Sequence, residues 1–329
     1  MKIGIIGAGA LGSLIAFHLS AHADVWLLSR RREQIDAINR DGLRRELDGV
    51  EDTRRPRAAA HPAEIGLCDI VLVLTKSYAT AWAAEQARQL VRTEGRGLRT
   101  EADTPVLSPQ SSVLNPVVVT LQNGLGNREL LALALGDARV GQGVTAMGAT
   151  MLGLGQVRQA GQGATVFGAA PDRAGMTALV DLFNSCGLPA ELSEDLDALV
   201  WGKLVVNAGI NALTALLRVP NGALADSAEA RALMAGAIAE VAAVAQARGT
   251  ALPYRDPLAH TLAVAQATSA NQSSMLQDIL RGSPTEIDSI NGAVAREGLR
   301  LGVPTPINSM LTALVHTLEA TADAQIKYP

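Results

Sequence analysis

The chain has 329 residues, more than one hydrophobic core usually organises, so two domains are expected. Apolar residues make up 48% of it, enough for a sizeable core, but aromatic residues only 3%, so the packing must rely on Ala, Leu and Val. Net charge is −4 with acids and bases interspersed, which argues against a nucleic-acid-binding surface with its basic patch or stripe.

The apolar start, MKIGIIGAGALGSLIAFHL, has glycine spacing, no clear small-residue cleavage site and a charged continuation, so it does not read as a signal peptide. No other stretch is apolar over a bilayer's width without charges or glycines breaking it, and no membrane partner is expected. Cys68 and Cys186 stand far apart, which speaks against a disulfide framework and for a reducing, cytoplasmic setting.

In chain order, Lys2–Ile6 is a short strand, followed by glycines and a helical stretch to about His22. Asp24–Leu28 is a second strand, and Asp69–Thr75 and Val117–Leu121 are apolar runs of the kind found in central parallel strands. Strands separated by helices predict a parallel sheet with right-handed crossovers. Arg92–Asn115 is rich in Gly, Pro, Ser and charge and reads as a surface excursion. Gly141–Gly168 suits short strands and tight turns.

Between the first strand and helix lies Gly7-Ala8-Gly9-Ala10-Leu11-Gly12, the GxGxxG pattern in the context it requires. Gly7 permits the tight turn, Gly9 lets the backbone approach a pyrophosphate, and Gly12 lets the helix pack closely on the sheet. The helix N-terminus then offers N–H groups to the anion. The second strand ends in Ser29-Arg30-Arg31-Arg32 where an NAD enzyme would place an acid, so NADP is favoured. Lys76 and Asn123 each follow a strand at its carboxyl end, where ligands bind in such sheets. Either could equally be an ordinary loop residue.

From about Glu194 long Ala/Leu-rich helical patterns take over, at Leu196–Leu217, Ser227–Arg248, Leu258–Leu280, Glu286–Leu301 and Ile307–Thr321. The expected domains are residues 1–193, an α/β Rossmann dinucleotide-binding domain, and 194–329, an all-helical one. Helical stripes of Ala and Leu also leave room for a contact between two copies of the chain, a homodimer. Lys203, Asn207 and Asn211 are spaced four apart, so they form one stripe of an otherwise core-like helix, drifting by about 40° per step. A buried lysine needs a partner or a cleft; a lysine reaching water at a domain edge is the even alternative. Glu286 reads either as the acid of a capping box with Ser283 and Pro284 or as a carboxylate paired with Lys203. His18 and His22 have ligand spacing but no acid between them, and no metal site is expected.

Several longer stretches carry a resemblance. They are QNGLG at Gln122–Gly126, WGKLVVNAGINALTAL at Trp201–Leu216, PNG at Pro220–Gly222 and SSMLQDILRGSPTEIDSINGAV at Ser273–Val294. Together with the glycine loop, these residues resemble the ketopantoate reductase (2-dehydropantoate 2-reductase) family nearly end to end. The resemblance implies a Rossmann domain, a helical domain and a site in the cleft between them. It also implies reduction of ketopantoate to D-pantoate by NADPH on the route to pantothenate and coenzyme A. By that likeness Lys203 is the general acid and Glu286 lies beside cofactor and substrate. Asn123, Asn207, Asn211, Asn221, Asn271 and Ser274 contact the substrate. Asn123 stands beside the nicotinamide, Ala149 offers a backbone contact to the cofactor, and Arg30 and Lys76 favour NADPH. Relatives acting on other 2-keto acids leave the substrate open, and a non-catalytic NADP-binding redox sensor is the alternative of another class. Such a sensor would need the glycine loop and Arg30 but not the constellation around Lys203.

Overall fold

The apolar run Lys2–Ile6 forms β1, buried along almost its whole length, and leads into α1 (Ala10–Leu19). The computed structural model describes residues 1–91, 116–168 and 172–324, so the Arg92–Asn115 stretch lies outside the described residues. Helix α1 stops short of His22: Ser20 donates its hydroxyl to Phe17 O and ends the last turn. The chain continues through β2 (Asp24–Leu28) and α2 (Arg32–Asp41) into a hairpin the sequence pattern did not announce. Its strands, β3 (Leu43–Leu47) and β4 (Val50–Arg54), turn at Asp48-Gly49, both at positive φ (51° and 79°), the conformation a two-residue hairpin turn requires.

Next come β5 (Arg57–Ala59), α3 (Pro62–Ile65), β6 (Ile70–Val73), α4 (Thr80–Leu90), β7 (Val117–Thr120) and α5 (Asn127–Leu135). Every residue of β6 and β7 is buried, which is why these two read as unbroken apolar runs rather than alternating ones. The glycine-rich stretch forms β8 (Val140–Thr145), β9 (Gly148–Gly153), β10 (Gln156–Gly161) and β11 (Thr165–Gly168), as expected. Helix α6 (Arg173–Ser185) and β12 (Ala190–Ser193) follow.

The main sheet runs β12-β11-β8-β7-β6-β1-β2-β5, parallel except for the β8–β11 pair. From β1 the order proceeds one way to β2 and β5 and the other way to β6 and β7, so the carboxyl ends of β1 and β6 mark the switch point of a Rossmann sheet. A second sheet, β4-β3-β10-β9, packs on α1.

The helical part comprises α7 (Leu196–Leu217), α8 (Asn221–Asp226), α9 (Ala228–Arg248), α10 (Pro257–Ala267), α11 (Ser274–Leu280), α12 (Asn291–Leu301) and α13 (Pro306–Ala320). Its starts follow capping chemistry: Asp195, Ser227 and Asp256 each accept a backbone N–H of the first turn. Trp201, Leu204, Val205, Ala208 and Leu213 of α7 pack into one core with Met234, Ile238 and Val241 of α9. Helix α7 is long and apolar enough to cross a membrane, yet most of it is buried inside the protein, as a core helix is.

Two expectations are corrected here. The single helix over Leu258–Leu280 is broken into α10 and α11. The Thr268–Ser273 segment is rich in side chains that compete for the backbone: Thr268 donates to Val264 O, and Ser273 accepts from Leu276 N–H to open α11. The helix expected from Glu286 begins only at Asn291, after a 3₁₀ turn at Ile287–Ser289. Ser283 and Glu286 form no capping box; the Glu286 carboxylate is engaged elsewhere.

The chain folds as two compact units, each packed mostly against itself. One comprises 1–75, 79–122 and 127–194, and the other 76–78, 123–126 and 195–329. The short segments carrying Lys76 and Asn123 therefore belong with the helices.

Candidate active site

The glycine loop leaves β1 at Gly7, whose φ of 118° suits glycine and whose hypothetical Cβ would lie 2.7 Å from the Leu74 backbone. A Cβ on Gly12 would lie 1.9 Å from Gly7 O, so α1 can approach the loop only because Gly12 has no side chain. Around Gly9 nothing lies within 4 Å of a Cβ position, and Gly9 caps α1 without a side chain. The loop thus offers an open approach to the first-turn amides of Ala10, Leu11 and Gly12, beside Ala8, and fits a dinucleotide's pyrophosphate. Replacing Gly12 by Ala is expected to cost about 1–3 kcal/mol by forcing helix and loop apart. Thermal melting reads this directly, and an unchanged midpoint would contradict the packing role.

Arg30 follows β2 on the surface, its guanidinium 4.9 Å from the centre of the Trp82 ring. That stacking flattens an otherwise mobile cation against a platform. Ala149 lies in β9, paired with Gln159 of β10, on the sheet that packs against α1.

The helical unit gathers the charged residues. Lys76 follows β6 and Asn123 follows β7; the two strands are neighbours in register, so the turns after them bring these residues side by side. Both reach the same carboxylate. Glu286 Oε1 accepts the Ser77 N–H at 3.0 Å. Its Oε2 accepts from Asn123 Nδ2 at 3.2 Å and faces Lys76 Nζ at 3.5 Å. A second buried carboxylate, Asp278 on α11, lies 2.6 Å from the same nitrogen. Burial disfavours the Lys76 ammonium, but Glu286 and Asp278 outweigh it and raise the pKa. Burial raises the Asp278 carboxyl, with Lys76 opposing.

Lys203 is partly buried on α7. Burial pulls its ammonium down to about 8, and the charge of Glu286 resists that fall. One carboxylate therefore stands in the field of two lysines. Buried ions are expensive unless hydrogen-bonded and paired, and perturbed groups of this kind cluster where chemistry is done.

Along the same stripe of α7 lie Asn207, partly exposed, and Asn211, buried. Neither side chain makes a hydrogen bond among the described residues. Asn221 at the start of α8 is tied to Asn271 through its backbone N–H (3.0 Å) and to Thr268 through Nδ2 (2.9 Å). Its buried Oδ1 has no partner among the described residues. Ser274 and Asn271 are exposed at the mouth of α11, which is fastened to α7 by Thr214 donating to Ser273 at 2.7 Å. Ser274 and Asp278 are one turn apart on the same face of α11, so this helix joins the amide group to the charged group.

The structure thus brings Lys76, Asn123, Lys203 and Glu286 together, with Asn207 and Asn211 on Lys203's stripe. Gly7 to Gly12, Arg30 and Ala149 lie in the other unit. The sequence did not mark Asp278 or the Ser77 amide. The four-residue step from Ser274 was the available signal for Asp278; nothing in a sequence marks a backbone amide. His18 hydrogen-bonds Gln159 and His22 is exposed, and no cluster of His, Cys, Asp or Glu suited to a metal occurs among the described residues.

Comparison with known proteins agrees with the fold. Residues 3–172 match the family described as "Ketopantoate reductase PanE/ApbA", and residues 195–319 match its "C terminal" part. The 2-dehydropantoate 2-reductase of Pyrococcus horikoshii is 33% identical over 97% of this chain and 98% of its own. A PanE/ApbA family ketopantoate reductase from Ralstonia eutropha superposes with a TM-score of 0.84 at 30% identity, covering 98% of this chain and all of that one. A D-mandelate dehydrogenase, solved with NADH and anilino(oxo)acetate, superposes with a TM-score of 0.85 at 26% identity over the same shares. With both halves matched by the family's own pattern, and with a named reductase aligned almost end to end, the chain belongs to the ketopantoate reductase family.

Proposed function

We propose that the protein reduces a 2-keto acid with NADPH, that ketopantoate is this acid, and that D-pantoate for coenzyme A synthesis is the product. The observation that carries the reading is Lys203 held partly buried in the field of Glu286, on one stripe with Asn207 and Asn211. In this reading residues 1–193 hold the cofactor and 194–329 hold the substrate and the proton donor.

When bound, the nicotinamide supplies the hydride that reduces the keto carbon. Negative charge then develops on the carbonyl oxygen, where the Lys203 ammonium stabilises it and delivers the proton. Glu286 keeps that ammonium charged and oriented. Asn207, Asn211, Asn221, Asn271 and Ser274 bind the carboxylate and hydroxyl of the substrate as neutral donors and acceptors. The partnerless Asn221 Oδ1 suits a substrate hydroxyl. Asn123 fixes the nicotinamide end, the glycine loop takes the pyrophosphate, Ala149 meets the cofactor through its backbone, and Arg30 favours the 2′-phosphate form; Lys76, engaged by Asp278 and Glu286 beside Asn123, stands with the nicotinamide end instead. Cys68 and Cys186 are free thiols, in keeping with a cytoplasmic enzyme.

Because reduction needs Lys203 protonated, kcat/KM for reduction should hold below about 8 and fall above it. The kcat limb should lie higher, since a bound carboxylate favours the ammonium. The reverse oxidation needs the neutral amine and should show the opposite limb. A reduction profile that rises through this range would remove Lys203 as the acid.

The direct test is loss of NADPH absorbance with ketopantoate beside a panel of 2-keto acids. Strong preference for ketopantoate supports the assignment. The likeness to a D-mandelate dehydrogenase bound to NADH motivates a second reading, an aromatic 2-keto acid as substrate. Turnover confined to such acids would favour it. NADPH binding without turnover of any acid would favour a redox sensor.

A further inference from the structure

Asp278 has no part in the reaction as proposed, and the inference drawn from it deepens that reading. Its carboxylate is buried on α11, and Lys76 Nζ lies nearer to it (2.6 Å) than to Glu286 (3.5 Å). Besides Lys76, the Ser77 N–H and the Asn123 amide reach Glu286, and both are neutral donors. A neutral donor stabilises a carboxylate without cancelling its charge.

We propose that Asp278 is a positioning residue for the proton donor: by drawing Lys76 to itself, it leaves the Glu286 carboxylate as the counter-charge of Lys203. Asp278 and Glu286 balance Lys76 and Lys203 charge for charge. Without Asp278 the group carries one uncompensated positive charge, and Lys76 closes on Glu286. Both consequences drive Lys203 toward losing its proton. In support, Glu286 is the charge that resists the fall of Lys203, and both carboxylates hold Lys76 charged. Arg281 also acts on Asp278, opposing its protonation.

Helix α7 packs against α8, α9, α10, α11 and α13; Asp226 of α8 is exposed, and the other titratable groups have partners elsewhere. Glu240 accepts from Ile307 and Asn308, Arg248 faces Asp197, and His260 stacks on Tyr254. His316 faces Asp288, and Glu319 accepts from Thr285. At the start of α9, Glu229 accepts from Ser227 and Arg231 donates to Ala225 O.

The test is Asp278→Asn, which keeps shape and removes charge, beside Asp278→Glu, which restores it. In Asp278→Asn the alkaline limb of kcat/KM should move down by about one unit, with activity approaching the parent's at lower pH. Asp278→Glu should bring the limb back. A loss of activity equal at every pH, with the limb unmoved and the melting temperature lowered, would overturn the proposal and leave Asp278 a packing residue. If the parent reduces no 2-keto acid, the functional reading fails, and the inference is read without catalysis. Isotope-labelled lysine, assigned with Lys203→Arg, then reports the Lys203 titration by NMR in parent and Asp278→Asn. A downward shift upholds the coupling, and an unmoved titration overturns it.

Discussion

Lys203→Ala is expected to lower kcat roughly 10²–10⁴-fold, the range set by removal of a general acid, while leaving the Kd for NADPH nearly unchanged. The split follows from where the residue stands. Lys203 lies on α7 beside the Asn207 and Asn211 stripe, whereas the glycine loop and Arg30 lie in the other unit. In the proposed reaction, methyl in place of ammonium removes both the proton and the positive charge that would meet the developing oxyanion. It also leaves Glu286 with Lys76 as its cation, so the pocket becomes more negative toward an acidic substrate. KM should therefore rise as well, but by less than kcat falls. Single-turnover kinetics with saturating NADPH separate the two effects. An effect confined to KM would make Lys203 a binding residue rather than the acid.

The second large effect is expected at the cofactor's far end. Arg30→Ala should weaken NADPH roughly ten- to hundredfold, the worth of a charge-assisted contact to phosphate, and NADH much less. The guanidinium stacks on Trp82, so it presents a fixed cation instead of a mobile one. Tryptophan emission during titration with either nucleotide gives both dissociation constants. Equal losses for NADPH and NADH would rule out 2′-phosphate recognition by Arg30.

Much of this layout was legible in the residues because it rests on local chemistry. Strands β1 and β2 fall where the apolar runs do, and α7 begins and ends as its pattern predicts. The hairpin β3–β4 went unmarked because LRREL and VEDTR are mostly charged and polar, which masks the single face carrying Leu43 and Leu47; only Asp48-Gly49 signalled it. The break before α11 was hidden for the opposite reason: Leu258 to Leu280 keeps its apolar spacing across the gap, and the side-chain competition that opens it is visible only once Thr268 and Ser273 find backbone partners. The capping-box alternative for Glu286 was a local expectation defeated by long-range partners, Ser77 and Asn123, more than 160 residues away. Asp278 escaped notice likewise, since its partner Lys76 stands 202 residues off. Which atoms a side chain meets across such separations depends on topology, and the pairing of β6 with β7 supplies it.

The division of the chain has a consequence for its modularity. A gene cut between Glu194 and Asp195 looks like a clean separation of sheet from bundle, yet Lys76–Tyr78 and Asn123–Gly126 cluster with the bundle while being encoded inside the sheet. A bundle produced alone would contain Glu286 and Asp278 as buried acids stripped of Lys76, Ser77 and Asn123. A chimera joining halves of two relatives would inherit its ion group from two parents. Recombination between family members is thus constrained by matching these two short turns to the bundle.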